Sequence, residues 1–146
     1  MTSYLVRPAR PTDGRAVREL VRRVRREFHL TVRGGDAARP GHGLLWVVEV
    51  GRGEIVGCCG AAEAADGGWE LDTLFLAPEW RGFGLGRSLV EQVVREAERA
   101  GAPAIVCEVP AQMVEAAALL RRLGFENASA PAHAARRYVR NLAGVS

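Results

Sequence analysis

Segment 71–89 constrains the fold of this chain more than any other, because a strand, a glycine-rich turn and a helix follow one another there without a break. Pro78 has no amide hydrogen and a fixed φ, so it ends a strand rather than continuing it. Gly82, Gly84 and Gly86 permit positive φ and allow the backbone to lie against a bulky anion. This order predicts a cup of backbone N–H groups at the positive end of a helix, which suits a phosphorylated ligand.

The helix after the turn is predicted from apolar residues at helical spacing. They recur from Leu85 to Ala100, and Gly101 and Pro103 end the pattern. The first turn offers N–H donors without intrahelical acceptors, and two arginines are expected to add positive charge beside them. The predicted anion-binding residues are Arg81, Gly82, Phe83, Gly84, Leu85, Gly86, Arg87 and Ser88.

Two established phosphate-binding motifs do not fit the glycine-rich turn. The 20 basic residues are all arginine, so the sequence lacks the G-x-x-x-x-G-K-[ST] loop. The dinucleotide-binding fingerprint requires glycines after the first strand of a repeated strand–helix–strand unit. Here the glycines come in mid-chain, after strands whose pattern is antiparallel.

The remaining sequence predicts a mixed α/β fold. Thr12 is the predicted N-cap of a first helix, with Asp13 in its first turn, and a first strand begins at Tyr4. Further strands are predicted at 44–50, 54–62, 69–76, 104–109 and 136–142, and a further helix at 111–123. The first three of these strands form an antiparallel meander, and the helical crossover that follows requires parallel pairing.

The predicted architecture is one α/β domain over residues 1–146, with helices on both faces of a mixed sheet. The sheet is antiparallel in its first half and is expected to switch to parallel pairing at Leu76 and Ala104, a place that ligands favour. Strand 54–62 is rich in small residues, so another group is expected to pack close to it. Segment 29–43 is predicted to be an ordered loop or a short irregular helix.

Composition indicates an ordinary globular protein, with 48% hydrophobic and 25% charged residues. Neither a signal peptide nor an apolar segment of roughly 20 residues is found, which predicts a cytoplasmic location. The cysteines are expected to be buried and reduced: Cys58, Cys59 and Cys107. The histidines are too scattered to form a ligand set, so no metal is expected: His29, His42 and His133.

Arginines crowd the first predicted helix at six positions: Arg15, Arg18, Arg22, Arg23, Arg25 and Arg26. A nucleic-acid-binding face and a solvated helix face both fit this pattern. No aromatic residues interleave with the arginines to stack on bases, so the solvated face is favoured and a nucleic-acid partner is not expected.

The run E-L-D-T-L-F-L-A-P-E-W-R-G-F-G-L-G, from Glu70 to Gly86, resembles the GNAT superfamily of acyl-CoA-dependent N-acyltransferases. It matches that family's R/Q-x-x-G-x-G/A pyrophosphate loop and the E-L-x-x-L-[YF]-[VL]-x-P strand before it. A second segment, L-L-R-R-L-G-F from Leu119 to Phe125, is similar to the family's closing L-Y-x-x-L-G-F.

The resemblance implies that the loop holds the pyrophosphate of acetyl-CoA and that the pantetheine arm pairs with the backbone of Leu74, Phe75 and Leu76. It implies direct transfer of the acetyl group to a primary amine on a small molecule or a protein. A homodimer is common in the family and is therefore one assembly open to this chain. The lack of a long apolar segment makes a membrane an unexpected partner. Acceptor specificity in such folds lies in loops, here 29–43 and 128–135.

The resemblance also places the catalytic groups. Glu70 occupies the position of the glutamate base in histone-type members, and alternation is expected to put it on one face with Asp72, Leu74 and Leu76. Burial beside Trp69 and Asp72 would strengthen it as a base. The second candidate base is Glu108, at the position used by ribosomal-protein N-terminal acetyltransferases.

Two positions depart from the family pattern. Met113 stands where an Asn is usual, and Leu120 stands where a Tyr protonates the departing thiolate. Tyr138, on the last strand, is the candidate substitute donor. These departures leave open a second interpretation, a catalytically weak acyl-CoA-binding module with a regulatory or interaction role.

Overall fold

Apolar strand segments build one mixed sheet, and amphipathic helices pack on both of its faces. The computed structural model describes residues 3–30, 43–128 and 135–142. The strands are β1 Tyr4–Pro8, β2 Leu44–Val50, β3 Glu54–Glu63, β4 Trp69–Leu76, β5 Ala104–Pro110, β6 Glu126–Asn127 and β7 Ala135–Asn141. The helices are α1 Gly14–Glu27, α2 Leu85–Arg99 and α3 Val114–Arg122. Most of segment 29–43, predicted as a loop or irregular helix, lies outside the described residues.

The seven strands form one sheet in the order β1-β2-β3-β4-β5-β7-β6. β4 and β5 pair in parallel and all other neighbours are antiparallel, which confirms the predicted mixed sheet. The parallel pairing runs from Trp69 opposite Ile105 to Leu71 opposite Cys107. The expected pairing of Leu76 with Ala104 is wrong, because parallel strands start at the same end and those residues lie at opposite ends.

Close packing explains the small residues of β3. A Cβ on Gly57 would lie 2.6 Å from the Leu76 side chain and 3.4 Å from Leu89 of α2. A Cβ on Gly60 would collide with the carboxylate of Asp72. Glycine at these positions therefore makes room for side chains of β4, as the composition of the strand predicted.

Helix α1 begins differently from the prediction. A 3-10 turn, Pro11–Asp13, precedes the helix, and Asp13 rather than Thr12 occupies the N-cap position. The Asp13 carboxylate accepts hydrogen bonds from the Arg10 N–H at 2.6 Å and from the Arg7 guanidinium at 2.8 and 3.0 Å. Arg7 also binds Glu49 of β2 at 3.0 Å. This ion-pair network anchors the start of α1 to the edge of the sheet.

Helices α1 and α2 pack on opposite faces of the sheet. The Arg25 guanidinium of α1 lies 5.9 Å from the Phe75 ring, whereas Leu89 of α2 approaches Gly57. Five of the six α1 arginines are exposed, which both a solvated face and a nucleic-acid-binding face require. None of the described helices has the length and apolar character to cross a membrane.

Candidate functional site

An opening in the middle of the sheet defines the site. The β4–β5 ladder has three residue pairs and ends at Leu71 and Cys107, although both strands continue. Beyond these residues the two strands diverge. The first residues past the last pair are Asp72 on β4 and Glu108 on β5, so two carboxylates flank the opening.

A β-bulge in β4 decides which side chains face each side of the opening. Cys58 pairs with Phe75, but Gly60 pairs with Asp72, so β4 has one extra residue. Thr73 in this bulge has a φ of +51°, which is unusual for a β-branched residue. The bulge puts Asp72 and Phe75 on the same face although they are three residues apart.

The bulge overturns the expected side-chain alternation. Glu70 and Asp72 face the α1 side, whereas Leu74 and Leu76 face the α2 side, so the prediction that these four share a face is wrong. Glu70 is exposed, and the expected burial beside Trp69 is therefore also wrong. The sequence pattern could not reveal this, because the bulge inserts no glycine or proline at its own position.

The glycine-rich turn presents backbone N–H groups as predicted. The first backbone hydrogen bond at the start of α2 runs from the Ser88 N–H to the Gly84 carbonyl at 3.1 Å. Within the described part of the chain, the N–H groups of residues 82–87 have no backbone acceptor. Gly82 and Gly84 have φ values of +86° and +80°, and an added Cβ would meet no atom within 4 Å. Glycine is needed there for backbone conformation.

Gly86 is present for a different reason. It lies inside α2, and a Cβ there would be 3.0 Å from Leu119 and 3.3 Å from Leu76. The prediction that this glycine serves positive φ is wrong. It allows α2, α3 and β4 to meet closely, which closes one side of the site.

A groove of about 440 Å³ connects the glycine-rich turn with the end of β4. Its residues from the sequence prediction are Leu74, Leu76, Arg81, Gly82, Gly84, Leu85, Gly86 and Arg87. Its other residues are Phe28, Gln112, Met113, Val114, Glu115, Ala116, Leu119 and Arg122. Of the predicted cofactor-binding set, Phe75, Phe83 and Ser88 are not in the groove wall. The Phe75 side chain faces α1, and Ser88 hydrogen-bonds to Tyr4 and to the Gly84 carbonyl.

The α3 wall was missed by the sequence prediction. The predicted helix at 111–123 and the L-L-R-R-L-G-F segment indicate a helix there, but not which side of it faces the groove. The contact between Leu119 and Gly86 sets that side. It also brings Arg122, three residues later on α3, to the groove, whose wall then contains this cation as well as Arg87.

Arg81 does not offer a free charge to the groove, contrary to the prediction. Its guanidinium binds both carboxylate oxygens of Glu27 at 2.5 and 2.7 Å and the Leu76 carbonyl at 2.9 and 3.2 Å. The exposed Arg87 pairs with Glu91 at 2.7 Å, one turn along α2. An anion at this turn would therefore interact mainly with the unpaired amides and the helix dipole, and less with the arginine side chains.

The predicted catalytic residues do not meet in the groove. Glu70 and Glu108 are exposed on the other face, and Glu108 lies 3.9 Å from Arg137. Tyr138 is fully buried, and its hydroxyl has no hydrogen-bond partner among the described residues. Of the two departures, Met113 lies in the groove wall, whereas Leu120 is wholly buried in the core.

The three cysteines are free thiols buried in the strands. Burial raises the pKa of Cys58 and of Cys107 to about 12, and it raises the pKa of Cys59 well above its usual value. The thiolate, rather than the thiol, is the nucleophile, so a pKa raised this far leaves little of the reactive form near neutral pH. Cys107 is therefore unsuited to carry an acyl group although it lies at the opening.

The folded protein is expected to resist thiol reagents. A disulfide reagent added at pH 8 should label fewer than about 0.1 thiol per chain in minutes, because burial keeps the thiols protonated. In guanidinium chloride the same reagent should label all three cysteines. Rapid labelling of one thiol in the folded protein would contradict the burial of these side chains.

Comparison with known proteins agrees with this geometry. Residues 14–125 match the model of the Acetyltransferase (GNAT) family. The chain is 31% identical over 131 residues to the uncharacterized N-acetyltransferase YjgM of Escherichia coli, with 79% of this chain and 77% of that protein covered. It is 36% identical over 74 residues to the IAA acetyltransferase of Azospirillum brasilense, with 50% and 48% covered.

Solved structures share the fold. A GNAT-family acetyltransferase of Staphylococcus aureus Mu50 superposes with a TM-score of 0.86 at 16% identity, covering 96% of this chain and 99% of that chain. The Escherichia coli GNAT-family N-acetyltransferase YhbS, solved in complex with CoA, superposes with a TM-score of 0.75 at 22% identity, covering 98% and 83%.

Proposed function

The chain belongs to the GNAT acetyltransferase family, and from this premise we propose that it transfers an acetyl group from acetyl-CoA to a primary amine. The observation that carries the proposal is the groove, which joins a cup of unpaired N–H groups to a break in the sheet. The cup suits a diphosphate, and the apolar floor of Leu74 and Leu76 suits the pantetheine arm. Between them they would hold the thioester at the opening between β4 and β5.

The acceptor amine would approach from the α1 side of the sheet. The bulge in β4 separates the two sides, with the groove on one and the carboxylates Glu70, Asp72 and Glu108 on the other. The amine nitrogen forms a bond to the acetyl carbon, the C–S bond breaks, and the thiolate leaves with its electron pair. The carboxylates of Glu70 and Asp72 on this side favour a cationic amine as acceptor.

An ordinary alkylamine is protonated at neutral pH, so a base must accept its proton before or during attack. We assign this role to Glu70, directly or through a water molecule, with Glu108 as the second candidate. Asp72 is fixed by a 3.1 Å hydrogen bond from the Thr73 hydroxyl, which suits it to hold the ammonium group before deprotonation.

The thiolate needs no strong acid. Its pKa of about 8.5 makes it a tolerable leaving group, so positioning can sustain the reaction without a tyrosine at the Leu120 position. Tyr138 remains the candidate donor, because its buried hydroxyl has no partner among the described residues and its ring packs beneath Arg121 of α3. Tyr138→Phe tests this directly, since it removes only the hydroxyl.

Replacing Glu70 by Gln should lower kcat at pH 7 by about 100-fold and leave the Kd for CoA unchanged, because general-base catalysis typically contributes factors of this size. The loss should shrink near pH 10, where the amine is neutral without help. The pH profiles of Glu70→Gln, Glu108→Gln and the wild type provide the measurement. If the pH profile of kcat for Glu70→Gln superposes on that of the wild type, Glu70 is not the base.

Two measurements separate the enzyme from an acyl-CoA-binding module. Calorimetry gives the affinity for CoA, and thiol release is followed across a panel of amines with acetyl-CoA and longer acyl-CoAs. Turnover on small amines or on peptide amino groups supports the proposal and identifies the acceptor class. Tight CoA binding without turnover on any amine would favour the module.

A further inference from the structure

The last turns of α1 are tied to the start of the glycine-rich turn by two bidentate ion pairs. Glu27 binds Arg81 at 2.5 and 2.7 Å, and Arg23 binds Glu79 at 2.9 and 2.6 Å. Planar pairs of this kind fix the relative orientation of both groups as well as their distance. The turn is therefore attached to a helix that lies far from it in sequence.

Arg81 is held on three sides. Besides Glu27, its guanidinium binds the Leu76 carbonyl, and its central carbon lies 5.2 Å from the centre of the Phe28 ring. Its side chain is 24% exposed and that of Glu27 is 33% exposed, against 52% and 50% for the Arg23–Glu79 pair. The hydrogen bond from Arg81 lowers the pKa of Glu27, so the pair is charged at neutral pH.

The residues that follow Arg81 need such an anchor. Gly82 and Gly84 have positive φ, and glycine has the greatest backbone freedom of any residue. Ordering this segment only when a ligand arrives would cost binding free energy. An anchor at Arg81 keeps the N–H groups converged before binding.

We propose that Glu27 is a positioning residue that holds the glycine-rich turn through Arg81, and that Arg81 serves as this anchor rather than as a ligand of phosphate. The inference rests on the proposed binding of CoA in the groove. Glu27 is not part of the groove wall, and it binds Arg81, so its effect on the donor is expected to pass through the turn. Loss of Glu27 should weaken the binding of donors that carry a diphosphate and leave the binding of donors without one unchanged.

The test compares acetyl-CoA with acetyl-pantetheine, which has the thioester but no diphosphate. Glu27→Gln should raise the Kd for CoA about tenfold, as loss of a charge-assisted bidentate pair predicts, and raise the KM for acetyl-CoA similarly. The kcat/KM for acetyl-pantetheine should stay within about twofold of the wild type. Glu19→Gln, which breaks the exposed Arg15–Glu19 pair, is the matched control. It should change neither the Kd for CoA nor the kcat/KM for either donor.

The alternatives give different results. If Arg81 were a phosphate ligand restrained by Glu27, Glu27→Gln would free its charge and strengthen CoA binding, which would overturn the inference. An unchanged Kd would also overturn it. Equal losses of kcat/KM with both donors would overturn it too, because the effect would then not pass through the diphosphate site. Glu27→Asp keeps the charge but shortens the reach, and it should weaken CoA binding less than Glu27→Gln. Wild-type protein that binds no CoA would overturn the proposed function itself.

Discussion

Replacing Gly84 by Asp is expected to raise the Kd for CoA at least about 100-fold while the protein remains folded. Gly84 lines the groove, and no atom lies within 4 Å of the position where a Cβ would be added. Its φ of +80° costs an L-residue about 1–2 kcal/mol, and aspartate is among the residues that tolerate this region best. The new carboxylate would add negative charge to the turn where we propose that the diphosphate binds.

Gly84→Asn separates charge from backbone strain. Asparagine has the same size as aspartate and tolerates the same φ, but it carries no charge. We expect Gly84→Asn to weaken CoA binding by less than about tenfold and to lower the melting temperature as much as Gly84→Asp does. Calorimetry with CoA and thermal unfolding provide the two readouts. If Gly84→Asp binds CoA with the same Kd as the wild type, this turn is not part of the binding site.

Replacing Asp13 by Asn is expected to lower the free energy of unfolding by about 3 kcal/mol, the low end of the cost of breaking a buried ion pair. Arg7 and Asp13 are 7% and 8% exposed, and their groups form a bidentate pair at 2.8 and 3.0 Å. Asparagine would leave the Arg7 charge buried with only Glu49 to balance it. Urea unfolding at pH 7 measures the difference in the free energy of unfolding. Glu19→Gln, at an exposed ion pair, is the control and should lower this free energy by less than about 0.5 kcal/mol.

The pH dependence of unfolding tests the same pair. Hydrogen bonds from Arg7 lower the pKa of Asp13 in the folded protein. A group whose pKa is lower in the folded state contributes stability that is complete above its unfolded pKa, about 3.9, and is lost as the pH falls through the folded pKa. The stability advantage of the wild type over Asp13→Asn should therefore shrink below about pH 4. A constant difference between pH 7 and pH 3 would contradict this assignment.

The part of the groove formed by β4, the glycine-rich turn and α2 could be predicted from short sequence patterns. Pro78, the glycines and the apolar spacing of α2 act over a few residues, so the strand, the turn and the unpaired N–H groups follow from the sequence. The parallel pairing of β4 with β5 also follows, because a helical crossover permits nothing else. Local chemistry was thus enough to predict the turn with its unpaired N–H groups and the change to parallel pairing in the sheet.

Local sequence patterns were thus sufficient for the turn, its helix and the mixed sheet. Which side chains face the groove and which ones anchor the turn depends on long-range packing. The extra residue at Thr73 exists only as a mismatch between β3 and β4, yet it moves Leu74 and Leu76 to the opposite face from Glu70. The partner of Arg81 is Glu27, 54 residues away, and Gly86 is required by Leu119 of α3. Register and long-range contacts arise when the whole chain packs, so no local spacing encodes them.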